Sequence, residues 1–151
     1  RLPGEIEAGS VVSDMLLNVD FAPTFMDYAN VVVPDEVQGE SGRGVLSGEA
    51  PEGWQNSLYY RYWMHMAGHT VVPHYGVRNE RYKLIFYYGV TLEDTRNPDI
   101  NIEAEWELYD LETDPQELNN VYGNPEFEEV QSEMLAELDR LQAKSGDTPR
   151  H

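Results

Sequence analysis

The sequence predicts an α+β fold: a small antiparallel sheet of about four strands with a long C-terminal helix packed on one face. Three observations predict it. Short aromatic, alternating segments fall at 57–64, 75–78, 81–88 and 106–111. Asn79-Glu80 joins the second segment to the third as a tight hairpin turn, with Asn79 expected to accept the positive φ that such a turn requires. Phe127, Val130, Met134, Leu138 and Leu141 recur at spacings of three and four, an apolar stripe on a helix of about five turns.

Taken in order, residues 1–10 are polar and show no period. VDFAPTFMDYAN at 19–30 reads as a surface helix. Asp20 is placed to cap it, Pro23 falls in the first turn, and Asn30 suits a left-handed stop. Phe21, Phe25 and Tyr28 share one side of that helix. Residues 30–56 carry Pro34, Gly39, Gly42, Gly44, Gly48, Pro51 and Gly53, which break any period and make a long loop. Loops of this length are often functional or inter-domain, so a subdomain boundary is expected near residue 50.

On the third strand Tyr82, Leu84 and Phe86 point one way and Lys83, Ile85 and Tyr87 the other. Residues 65–73 are irregular, and 90–105 form an acidic excursion expected to be an exposed loop. In WELYDL, Trp106, Leu108 and Asp110 oppose Glu107, Tyr109 and Leu111, and Asp114-Pro115 starts a turn. Asn124-Pro125-Glu126 begins the last helix as cap, first-turn proline and acid near the positive dipole end. Gly146 stops it, and DTPRH beyond should be frayed.

A length of 151 residues fits one domain, or a small domain plus a piece of another. The net charge of −18 argues against nucleic acid as a partner, because phosphate binding needs clustered Lys and Arg. No apolar run approaches the roughly 20 residues of a membrane span. With no cysteine, disulfides, thiolate zinc sites and cysteine nucleophiles are excluded within the chain. The opening RLPGEIEAGS has no initiator Met and no leader pattern, and reads as cut from something longer.

The candidate site is the stretch 57–89. It holds His65, His69 and His74, and Arg61, Arg78, Arg81 and Lys83 against Glu80 alone. An anion would be repelled over most of the chain and tolerated here. Arg78, Arg81 and Lys83 can steer such a ligand, or more simply are solvated or paired with the surrounding acids. Trp63 and Tyr62 can stack on a sugar face, or more simply are sheet core. His65 and His69 stand four apart, a metal spacing on a helix, but their segment does not read as a helix and lacks an acidic ligand. Asp110 and Asp114 read as turn and loop formers.

Three stretches together resemble the C-terminal part of the formylglycine-dependent sulfatases, of the alkaline-phosphatase-like superfamily. VVSDMLLNVDFAPTFMDYANV is similar to the V-S-x₂-D-x₂-P-T-x-L-D-x-A-G pattern that ends their catalytic domain. HYGVRNERYKLI resembles G-V-R-T-x-R-Y-K-L-I, and WELYDLETDPQELNNV resembles E-L-Y-D-L-x₂-D-P-x-E-x-x-N-L. Order and spacing agree, and the three cover most of residues 11–144. The type most resembled is the bacterial sulfatases of sulfated sugars, which includes N-acetylglucosamine-6-sulfatases and mucin- or heparan-desulfating enzymes.

The resemblance implies hydrolysis of a sulfate ester on a sulfated sugar. It implies a formylglycine made in a C/S-x-P-S-R motif and a calcium ion held by Asp and Asn or Gln. It implies residues 1–50 as the tail of an α/β catalytic domain plus linker, and 51–151 as the C-terminal subdomain. A periplasmic or extracellular location is also implied. This sequence has no Cys, no S-x-P-S-R, no N-terminal Asp-Asp motif and no D-N-G segment. No catalytic residue and no metal ligand is therefore expected here. The missing N-terminal catalytic domain is the expected partner, and the chain should be inactive alone.

In this family the subdomain edge closes one side of the substrate cleft, with a histidine similar in position to His74. The substrate-binding candidates are His74, able to donate a hydrogen bond to a sugar hydroxyl, with His69, Arg78 and Trp63. The simpler reading of His74 is a structural histidine at the start of a strand. Two other functions stay open: a stand-alone carbohydrate-binding or interaction module derived from a sulfatase, and a purely structural cap on the catalytic domain.

Overall fold

A computed structural model describes residues 2–64, 71–88 and 103–147. Two compact units follow one another, Arg1–Asn56 and Ser57–His151.

In the first unit a 3₁₀ turn, Asn18–Asp20, leads into helix α1, Phe21–Tyr28, and a single helical turn, α2, spans Arg43–Leu46. Asp20 does not cap α1 as expected. Its buried carboxylate instead accepts from the N–H of Leu17 at 2.8 Å, the N–H of Glu40 at 3.0 Å and Nε2 of Gln55 at 2.5 Å. Burying a carboxylate is tolerated when several donors face it. Those bonds thread the proline- and glycine-rich segment along the helix. Gly39 is required there, because a Cβ would lie 2.0 Å from the carbonyl oxygen of Val19. Thr24 extends the clamp by donating to the Asp20 carbonyl and accepting from the N–H of Gly42. The expected loop is therefore held along much of its length by polar contacts.

Asn30 ends α1 at φ 54°, the left-handed stop its side chain tolerates. The apolar side of α1 points outward: Phe21 is exposed and Phe25 is 70% exposed, while Pro23 and Thr24 are buried. Val11 and Val32 in the same unit are exposed as well.

The second unit is a four-stranded antiparallel sheet in the order β1-β2-β3-β4, with β1 Ser57–Tyr62, β2 His74–Asn79, β3 Tyr82–Tyr87 and β4 Glu105–Asp110. Asn79 builds the β2–β3 turn, but not through a positive φ. Its Oδ1 accepts from the N–H groups of Arg81 and Tyr82 at 2.9 and 2.6 Å, so the side chain makes the turn without strain.

Register brings one side of each strand together. Tyr59, Val77, Leu84 and Leu108 align in one row, and Arg61, Tyr75, Phe86 and Trp106 in the next. Helix α3, Glu128–Ser145, lays Met134 and Leu138 on this side to close the core, with Val130 and Leu141 at its margin. A 3₁₀ turn, Pro125–Phe127, precedes the helix, and Asn124 caps that turn by accepting from the N–H of Glu126.

Asp114 and Asn120 tie down the segment after β4. Asp114 accepts from the N–H groups of Leu118 and Asn119, both at 2.8 Å. Asn120 accepts from the N–H of Leu108 and donates to the carbonyl of Trp106, both at 3.0 Å, which covers the open edge of β4.

Gly146 ends α3 at φ 69°. The next residue, the first of the expected frayed tail, is instead held: Asp147 turns back onto β1. It accepts from the Tyr59 hydroxyl and takes Nη1 of Arg61 at 2.7 and 2.9 Å. The tail residues 148–151 lie outside the described residues, as do 65–70 and 89–102, which hold most of the expected irregular and acidic loops.

Candidate functional site

The side of the sheet away from α3 carries the candidate site. In register across the strands lie Tyr62, His74, Tyr87 and Glu105, and beside them Tyr60, Gly76, Ile85 and Glu107. Strand alternation puts these residues on the side opposite the core. His74 sits at the start of β2 among three tyrosine rings. Tyr62 stacks on it at 5.4 Å between centroids, Tyr87 lies tilted at 4.9 Å, and Tyr60 meets it edge-on at 5.7 Å. Gly76 makes the last contact possible. A Cβ there would come within 3.0 Å of the Tyr60 ring and 2.4 Å of the Leu84 carbonyl oxygen.

Nδ1 of His74 lies 2.8 Å from the carbonyl oxygen of Val72. A carbonyl only accepts, so this nitrogen carries the hydrogen and, in the neutral ring, Nε2 keeps a lone pair. Among the described residues Nε2 has no hydrogen-bond partner. The tautomer changes what the expected role would require: a neutral His74 can only accept at Nε2, and donates there only as the imidazolium.

Burial, followed by the charge and hydrogen bond of Glu107, pushes the Tyr87 hydroxyl up to about 12. The same influences in the same order raise Tyr109. Burial also raises Tyr60, with Tyr87, Glu117 and Glu107 adding to it. All three phenols stay protonated at neutral pH.

Three of the four cations of the basic island are paired within the fold. Arg81 forms a two-pronged pair with Asp110 at 3.0 and 2.8 Å and reaches Glu112 at 3.2 Å. Lys83 meets Glu117 at 2.6 Å, and Arg61 is held by Asp147. Arg78 is exposed and has no ion pair among the described residues; it lies on the His74 side of β2. Trp63 is not sheet core. It is 64% exposed beyond the end of β1, and its ring takes the Arg61 guanidinium at 3.7 Å. Arg61 aligns with the core row, so Trp63 belongs with the opposite side of the sheet from His74. His65 and His69 lie outside the described residues.

The three described candidates, His74, Arg78 and Trp63, thus do not form one cluster. Tyr60, Tyr87 and Glu107 were not singled out beforehand. Their signal was strand alternation, which assigns sides only once the register linking β1 to β4 is known. As for a metal, the described residues contain no group of three or more His, Cys, Asp or Glu placed to hold one. With no cysteine and no S-x-P-S-R in the sequence, this chain does not fit the calcium and formylglycine centre of the sulfatases.

A four-stranded antiparallel sheet carrying a long C-terminal helix on one side is the C-terminal architecture of the sulfatases. The chain belongs to the N-sulphoglucosamine sulphohydrolase C-terminal family, whose model matches residues 1–144. Over 149 residues it is 41% identical to the N-acetylglucosamine-6-O-sulfatase of Bacteroides thetaiotaomicron, covering 97% of this chain and 25% of that protein. Its structure matches BT4656, solved in complex with its substrate D-glucosamine-2-N,6-O-disulfate, with a TM-score of 0.82 at 41% identity, over 95% of this chain and 27% of that one. It also matches BT1596, a 2-O GAG sulfatase, with a TM-score of 0.64 at 29% identity, over 85% and 25% of the two chains. The chain therefore spans about a quarter of the length of these relatives.

Proposed function

We propose that this chain is the C-terminal region of a sulfatase, a sulfuric ester hydrolase acting on sulfated carbohydrate, and that it lines one side of the substrate cleft without being catalytic alone. Family membership and the 41% identity to an N-acetylglucosamine-6-O-sulfatase support the activity of the parent protein. In this reading residues 1–50 finish an α/β catalytic domain and 51–151 form the subdomain. Calcium and formylglycine belong to the catalytic part, as does sulfate cleavage. A periplasmic or extracellular location goes with the family.

The observation that carries the cleft assignment is His74: a ring fixed by Val72 and three tyrosines, with Nε2 left unengaged. His74 is half-buried, so Nε2 is left to solvent or to a ligand. The test is His74→Phe in the full-length parent, which keeps an aromatic ring among the tyrosines and removes the acceptor. Its kcat/KM on N-acetylglucosamine-6-sulfate should fall about tenfold, the worth of roughly one hydrogen bond. The melting temperature should hold to within a few degrees. An unchanged kcat/KM removes His74 from the cleft.

A further inference from the structure

Resting on the reading that this side of the sheet lines a sugar cleft, we infer that it takes an uncharged, hydroxyl-bearing edge of the sugar and excludes a second sulfate group there. The row of Tyr62, His74, Tyr87 and Glu105 carries no Lys or Arg, and its two tyrosine hydroxyls both donate and accept. The Nδ1 hydrogen of His74 goes to Val72. Left without a partner among the described residues is the Nε2 lone pair, and beside it the carboxylate of Glu105 is exposed and stands opposite Tyr87 in register. Lys83, on the same side, is held by Glu117. Arg78 is four residues along β2 from His74, roughly 13 Å away at the rise of a strand.

A sulfate ester presents acceptor oxygens and negative charge, so it has no hydrogen to share with these groups and is repelled by the carboxylates. A sugar hydroxyl or acetamido N–H donates to the same atoms. The half-buried Tyr62 and Tyr87 rings can cover the C–H surface of the ring at the same time. The Tyr62 hydroxyl both donates and accepts and does not discriminate. Of the basic residues of the stretch, which the charge count alone marks as an anion site, Arg61, Arg81 and Lys83 are paired, and Arg78 stands at the hairpin end of β2.

The test compares N-acetylglucosamine-6-sulfate with the same sugar carrying a second sulfate at O3 or at O4. The full-length parent is assayed at one fixed pH throughout. The wild type should favour the monosulfate at one of the two positions by about tenfold or more in kcat/KM, and Glu105→Gln should shrink that preference severalfold, because specificity here comes from a repulsive element. Where a sugar is bound but not turned over, the same ratio is read from Kd. Equal handling of mono- and disulfates by the wild type, or a preference untouched by Glu105→Gln, overturns the inference. His74→Phe keeps the two ideas apart. If it lowers kcat/KM while Glu105→Gln leaves the preference alone, the cleft survives and the charge rule fails. If neither variant changes any substrate, the cleft reading fails and the inference with it.

Discussion

Cutting the contact between Asp147 and β1 should destabilise the second unit far more than a surface ion pair would. The Arg61 side chain is 9% exposed and that of Asp147 19%. The guanidinium lies over the Trp63 ring at 3.7 Å and within 6 Å of the Tyr75 and Tyr88 ring centres. Asp147→Ala would leave that cation in an aromatic enclosure with no carboxylate, and would strand the Tyr59 hydroxyl. Breaking a buried pair from one side costs about 3–5 kcal/mol. The partial exposure of Asp147 and the retained cation–π contacts place this case near the lower end, at about 3 kcal/mol. Arg61→Met removes the charge along with its partner's need for it, so the double variant Arg61→Met/Asp147→Ala should lose less than the two single losses added together.

The assay is urea unfolding followed by tryptophan fluorescence, with Trp63 reporting directly on the guanidinium it carries. A coupling energy of about 1–3 kcal/mol is expected between the two substitutions. Additivity to within about 0.5 kcal/mol, or a loss below about 1 kcal/mol for Asp147→Ala alone, would refute the argument. Such a result would mean that the end of α3 is held by Gly146 and the helix stripe alone.

Two further predictions concern the sheet. The bonds from Arg81, followed by opposing burial and the N–H of Glu112, hold the Asp110 carboxyl at about 2, below its ordinary 3.8. A lowered folded-state value means that this stabilisation is complete above about pH 4 and is lost as pH falls toward about 2. Acid unfolding followed by circular dichroism should show that loss in the wild type and a flatter profile over the same window in Asp110→Asn. Gly76→Ala should destabilise by about 1–3 kcal/mol in urea unfolding, because the Leu84 backbone cannot give way. Tyr60 should also shift off His74, which the His74 ring-proton chemical shifts would report.

The sequence showed the elements more clearly than the relations between them. Aromatic alternation marks each strand locally, and the spacing of Phe127, Val130, Met134, Leu138 and Leu141 marks the helix, because period is a property of neighbouring residues. Alternation also separates Leu84 from Ile85 and Leu108 from Tyr109. It does not say that Leu84 and Leu108 lie on the same side as Val77; that follows from the pairing Val77–Leu84–Leu108. Asn79 and Asp20 were legible as turn and helix-start residues by type. The atoms their side chains reach were not, since Asp20 bonds Glu40 and Gln55, far beyond the helix it begins. Trp63 looked like core because tryptophan is large and apolar. A cation from the neighbouring row gives its ring a partner at the surface instead.

The charge count shows the same limit most sharply. Four cations within 57–89 read as an attractive patch when neighbours in sequence are taken as neighbours in space. In the fold the partners come from far along the chain: Asp147 for Arg61, Asp110 for Arg81 and Glu117 for Lys83. Each pair fastens a later segment onto the sheet, so these cations hold the C-terminal end of α3, the last strand and the loop after it. A side chain committed to such a pair has little field left for a distant anion, because its charge and its neighbour's cancel within a few ångströms. What the sheet offers on its open side is then decided by Tyr62, His74, Tyr87 and Glu105, residues whose chemistry is hydrogen bonding and ring contact.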